Sequence, residues 1–217
     1  MFREVYRRLY DCFGAQGWWP GEGPFEVMVG AVLTQNTAWR NAERALGRLR
    51  RAGLLEPRAI AEADSARVAA AIRPSGCFNV KTRRLQALSR AYLSWGGRQG
   101  MATMGTGDLR RALLRVHGIG RETADDILVY AFDRPVFVVD AYSRRIFERL
   151  GLLEGGERYE KVRRDIESVL DPDPALFNEY HALIVQLGKT VCRPLPDCVA
   201  CVLRDLCPTA ESPAAGR

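Results

Sequence analysis

Apolar residues recur along this chain at spacings of three and four, and the alternation expected of strands is almost absent. Between Trp39 and Gly53, Ala42, Ala45, Leu46 and Leu49 fall on one helix face. The same spacing runs through Leu85, Leu88 and Tyr92, through Leu109, Leu113 and Leu114, through Tyr159, Val162, Ile166 and Val169, and through Phe177, Tyr180, Leu183, Ile184 and Leu187. The pattern predicts about ten helices and an all-α fold. The opening MFREVYRRLYDCFG mixes acid and base and has no apolar run, so it reads as an amphipathic helix and not as a signal peptide. Pro135 to Val139 looks strand-like but has no partner run, and an isolated strand cannot satisfy its backbone; it is predicted to be an extended linker. Gly and Pro punctuation predicts loops at Pro20 to Pro24, Arg73 to Gly76, Gly96 to Gly107 and Asp171 to Pro174.

Length and composition narrow the class. At 217 residues the chain suits one large or two small interlocked domains. With 47% hydrophobic and 27% charged residues it has material for a sizeable core, which excludes disorder throughout. The longest mainly apolar stretch, Val27 to Leu33, is far short of the roughly 18 to 20 residues that cross a bilayer, so no membrane partner and a cytoplasmic location are expected. The 32 basic residues outnumber 26 acidic ones, a charge of +6 that favours a polyanion partner without requiring one. Only Lys81, Lys161 and Lys189 are lysines, so nearly all the positive charge is arginine.

Three local patterns carry chemistry. Cys192, Cys198, Cys201 and Cys207 fall within sixteen residues, and a reduced compartment makes them metal ligands in preference to disulfides. Zinc and an iron-sulfur cluster both take four thiolates, and one compact loop leans to the cluster. Cys12 and Cys77 stand apart and read as small buried hydrophobes. LLRVHGIGRETADDIL, residues 113–128, reads as helix, Gly118-Ile119-Gly120 turn, helix, whose backbone N–H groups suit a phosphate, although any tight turn between packed helices has the same pattern. Asp140 sits at the N-cap position of an amphipathic helix carrying Tyr142, Ile146 and Leu150.

In this order the three patterns resemble the helix-hairpin-helix DNA glycosylases of the endonuclease III superfamily. FEVMVGAVLTQNTAW at 25–39, IRPSGCFNVKTRRL at 72–85 and HALIVQLGKTVC at 181–192 are similar to segments of the same superfamily. The resemblance implies a two-lobed all-α fold. One lobe, 22–134, would be a helical barrel with the hairpin. The other, 1–21 with 135–210, would carry a [4Fe-4S] cluster on the four cysteines, and 211–217 would be a loose tail. It further implies that Asp140 is the catalytic carboxylate, that Val116, His117, Gly118, Ile119 and Gly120, with Arg121 and Thr123 following, bind DNA, and that Gln35 fills the gap left by a flipped base. The first cysteine gap is five residues where the superfamily usually has six.

A second departure bears on chemistry. Bifunctional members carry a lysine in the hairpin whose amine attacks the sugar; here Glu122 stands in its place, and neither a carboxylate nor the neighbouring Arg121 can form an imine. Lyase activity is expected to be absent or weak unless Lys81 or Lys189 reaches the sugar. Trp18-Trp19-Pro20, with Trp39, resembles the 3-methyladenine glycosylase III branch, in which aromatic side chains line the pocket for an alkylated purine. The expected activity is therefore monofunctional hydrolysis of alkylated purines from double-stranded DNA by a monomer. The alternatives are a glycosylase for mismatched thymine or uracil or for oxidised pyrimidines, and a catalytically silent DNA-binding relative.

Overall fold

The computed structural model describes residues 1–211, and every regular element among them is helical. Twelve α-helices follow one another: α1 Phe2–Phe13, α2 Pro24–Leu33, α3 Trp39–Arg51, α4 Pro57–Glu62, α5 Ser65–Ile72, α6 Phe78–Ser94, α7 Gly97–Thr103, α8 Thr106–Leu114, α9 Arg121–Asp126, α10 Ala141–Arg149, α11 Tyr159–Glu167 and α12 Pro174–Thr190. No helix among the described residues is long and apolar enough to cross a membrane. The chain divides into two compact units, Trp19–Arg134, and Met1–Trp18 with the chain from Pro135 onward. The tail expected over 211–217 lies, from 212 on, outside the described residues.

In the unit Trp19–Arg134, α2 is apolar on nearly every side, and Val27 to Leu33 are all buried. A helix of that kind is stable only when surrounded. It packs against α3, α6, α9 and the π-helical turn Ile127–Ala131 that continues α9. The face predicted for α3 is the buried one, with Ala42, Ala45, Leu46 and Leu49 inside. Lys81 of α6 is only 2% exposed, and its ammonium donates to the carbonyls of Leu33 at 2.8 Å and Ser75 at 2.7 Å. It ties the C-terminal end of α2 to the turn before α6, and burial holds its pKa below the usual lysine value.

The loop expected from Gly96 to Gly107 is in fact interrupted by α7. Gly100 lies inside that helix because a Cβ there would collide with the Trp95 carbonyl, so this glycine marks a close backbone approach and not a chain break. Cys12 and Cys77 are exposed, contrary to the expectation of buried hydrophobes. Cys77 is the N-cap of α6 in a left-handed conformation, φ 43°, and so stands at a surface corner.

In the other unit, α1, α10, α11 and α12 enclose an aromatic core. Phe137 lies 5.8 Å from Phe177 and 5.6 Å from Tyr180, centroid to centroid, and Tyr180 donates its hydroxyl to the carbonyl of Phe2 at 2.9 Å. Residues 135–139 form the predicted extended linker, with Val136 to Val139 buried. Side chains replace the missing partner strand: Phe137 N–H donates to Glu167 Oε1 at 2.9 Å, and Val139 N–H to the Tyr159 hydroxyl at 3.3 Å.

Candidate functional site

The hairpin runs from the end of α8 to the start of α9, closed by Ile119 N–H donating to the Val116 carbonyl at 3.1 Å. Gly118 has φ 81°, and the Arg84 side chain crosses it so closely that a Cβ there would force Arg84 to shift. Gly120 has ordinary extended backbone and open space where a Cβ would go. Ile119 is buried, whereas His117, Gly120, Arg121 and Glu122 are exposed and Val116 is half-buried. The helices on either side are locked by a two-pronged ion pair, Arg110 Nε to Asp125 Oδ1 at 2.6 Å and Nη2 to Oδ2 at 3.0 Å, with Asp125 fully buried.

Gln35 is anchored to this hairpin. Its Nε2 donates to the Gly118 carbonyl at 3.1 Å and to Thr123 Oγ1 at 2.8 Å, and its Oε1 accepts from Arg84 Nη1 at 2.6 Å. Gln35, Asn36, Arg84 and the hairpin from Gly118 to Thr123 line an open concavity of about 480 Å³. Asn36 beside it is exposed and in a left-handed conformation, φ 52°. Arg84 was not singled out in the sequence, where one arginine among so many carries no signal.

Asp140 is the N-cap of α10, as its position predicted. Its Oδ1 accepts from Ser143 N–H at 2.7 Å and from Ser143 Oγ at 2.6 Å, while Asp140 N–H donates back to Ser143 Oγ at 2.8 Å. That capping box uses one carboxylate oxygen. The other, Oδ2, faces His181 Nε2 of α12 at 3.6 Å. The Asp140 side chain is 12% exposed. Burial on its own would raise its pKa; the imidazole of His181 and the bonds from Ser143 outweigh burial, and the net pKa is lowered. Lys189, also on α12, is an exposed residue, yet partial desolvation lowers the pKa of its ammonium against the pull of Asp140. His181 and Ser143 were missed: both lie on amphipathic helices, where periodicity reads them as spacers.

The tryptophans separate. Trp19 lies in the first unit beside Trp39 and Tyr130, each at 5.1 Å between ring centroids, and it leans on Gly30, where a Cβ would come within 3.0 Å of the indole. Tyr130, on the π-helical turn, is a further aromatic that sequence spacing gave no reason to choose. Pro20 is exposed. Trp18 lies in the second unit, with the Lys189 ammonium 5.7 Å above its ring.

Cys192, Cys198, Cys201 and Cys207 line one cavity with Arg149, Arg204 and Thr209, and none is in a disulfide. Burial pushes the Cys201 thiol up, and the other three sulfurs lie close enough to add to it. Arg149 orders the loop through Nη1 to Cys192 Sγ at 3.2 Å and to the Arg193 carbonyl at 2.7 Å, and its own carbonyl accepts from Thr209 Oγ1 at 2.8 Å. No three His, Cys, Asp or Glu side chains among the described residues converge as a site for a single metal ion. Four soft thiol donors around one cavity are the donor set that an iron-sulfur cluster takes.

Comparison with known proteins agrees with this arrangement. Residues 29–172 match the model of the HhH-GPD superfamily base excision DNA repair proteins. A Methanocaldococcus jannaschii protein, provisionally named a DNA repair glycosylase, is 41% identical over 95% of this chain and 96% of its own length. Endonuclease III of Thermotoga maritima is 30% identical over 85% of this chain and 82% of its own. Among solved structures, the H. pylori 3-methyladenine DNA glycosylase MagIII, bound to 1,N6-ethenoadenine, superposes with a TM-score of 0.76 at 30% identity, covering 87% of this chain and 97% of that one. Hairpin, capped aspartate and family match converge: the chain belongs to the HhH-GPD superfamily and is a base excision repair DNA glycosylase of the endonuclease III group.

Proposed function

We propose that this glycosylase is monofunctional, hydrolysing the N-glycosidic bond of alkylated purines in double-stranded DNA, and that it works as a monomer on chromosomal DNA in the cytoplasm. The observation that carries the reading is Asp140, a nearly buried carboxylate whose pKa is lowered, with one oxygen committed to the helix cap and the other facing His181. A fixed negative charge of this kind stabilises the cationic sugar that develops as the base departs and helps to position the attacking water. An N-alkylated purine is cationic and leaves without prior protonation, so no general acid is needed at the base. Trp19, Trp39 and Trp18, with Pro20, supply the aromatic faces; a cation over such a face gains up to about 2 kcal/mol when desolvated. Lys189 already lies over Trp18, so a cationic base using that ring displaces the ammonium. The H. pylori relative, with its bound ethenoadenine, supports a modified purine.

Val116, His117, Gly118, Ile119 and Gly120, with Arg121 and Thr123, bind the DNA backbone, and Gln35 occupies the space left by the flipped nucleotide. Cys192, Cys198, Cys201 and Cys207 hold a [4Fe-4S] cluster, which when bound supplies a one-electron centre and cross-links the loop. The exposed Glu122 offers no amine. Lys81 is buried with its ammonium donating to two carbonyls, which argues against it as the nucleophile.

The test is mass spectrometry of bases released from methylated duplex DNA. Wild type should free alkylated purines, leave the abasic product uncut until alkali is added, and form no adduct that borohydride traps. Asp140→Asn keeps the cap but removes the charge, so binding should persist while turnover falls by about 100-fold or more. Release of oxidised pyrimidines or mismatched thymine with alkylated purines untouched would replace the substrate assignment. Tight binding of damaged DNA with no base released would make the chain a silent relative.

A further inference from the structure

His181 is one of two histidines in the chain, 6% exposed, and its imidazole has a carboxylate in front of it. The 3.6 Å between Nε2 and Asp140 Oδ2 is longer than a hydrogen bond but well inside the range of a charge contact. Ser143 fixes Oδ1 twice, so the only freedom left to the carboxylate is what happens at Oδ2, and His181 stands there. A buried carboxylate with no positive neighbour drifts toward the neutral acid. The opposite holds here, and the imidazole is the largest influence opposing burial.

We propose that His181 is a positioning residue for base release: it holds Asp140 ionised and sets the orientation of its free oxygen, and so keeps the enzyme active as the medium turns acidic. The proposal rests on the reading of Asp140 as the catalytic carboxylate. Of the other groups around Asp140, Ser143 on α10 is uncharged, and Lys189 on α12 attracts the carboxylate through an ammonium that is itself partly desolvated. Without the imidazole, burial is opposed by the two bonds from uncharged Ser143 and by the Lys189 ammonium. A histidine that merely filled core space would change stability on replacement but leave the titration of Asp140 where it was.

The experiment titrates the Asp140 carboxyl by carbon-detected NMR in wild type and in His181→Gln, alongside single-turnover base release from methylated duplex between about pH 5 and 8. His181→Gln should move the Asp140 midpoint upward. It should also cut the rate of base release about tenfold at the acidic end relative to neutral pH, with KM unchanged and wild type flat across the same range. An unmoved Asp140 midpoint in folded His181→Gln overturns the proposal. Should that variant not fold, His181→Asn serves in its place, and an unmoved Asp140 midpoint in that folded variant overturns the proposal equally. The two ideas fail separately. Base release that survives Asp140→Asn refutes the catalytic assignment, whereas the NMR shifts report the pairing whatever the activity.

Discussion

Gly118 and Gly120 stand two residues apart in the hairpin and are glycine for different reasons. Gly118 combines a positive φ with the Arg84 side chain lying across it, so Gly118→Ala must displace Arg84 and with it the bond to Gln35. That substitution should lower thermal stability, by roughly 1–3 kcal/mol for the strained backbone. Gly120→Ala meets open space at an ordinary φ and should leave the melting temperature unchanged. If the backbone there approaches phosphate, the same variant should nonetheless weaken binding to all duplexes alike, and fluorescence anisotropy on several sequences would show it. The sequence reveals both glycines but not their difference, because the distinction lies in a side chain 34 positions away. Asp140 was legible as a cap, since capping depends only on neighbouring residues. His181 was not, because its partner is 41 positions distant and a lone histidine on an apolar face looks like filling.

At the level of elements, periodicity located the long helices well, since each has one face that must be dry. It failed where another constraint decides. Gly100 lies within α7 because a neighbouring carbonyl excludes a side chain, and the π-helical turn that carries Tyr130 leaves no mark in hydrophobic spacing. The joint between α8 and α9 depends on charge: Asp125 is fully buried and is gripped by Arg110. Removing one partner leaves an uncompensated charge in the interior, so Arg110→Met should cost about 3–5 kcal/mol in denaturant unfolding, whereas replacing both residues with apolar ones should recover much of the loss. Equal stability of the single and double variants would mean that the pair does not lock the hairpin.

For the whole molecule, the all-helical class and the superfamily were readable because motifs came in a fixed order, which chance rarely reproduces. The content of the cysteine loop is testable directly. Purified under reducing, anaerobic conditions, the protein should be brown with about four irons per chain, and Cys198→Ser should lose both colour and iron. Stoichiometric zinc without visible absorption would assign the loop to a different metal. The arginine-rich composition has another consequence. With Lys81 walled in, a reagent that modifies primary amines meets Lys161 on the exposed side of α11, the amino terminus, and one lysine beside Asp140, Lys189. Labelling of Lys189, followed by peptide mapping, thus becomes a footprint of whatever occupies the neighbourhood of the carboxylate, with exposed Lys161 as the internal standard.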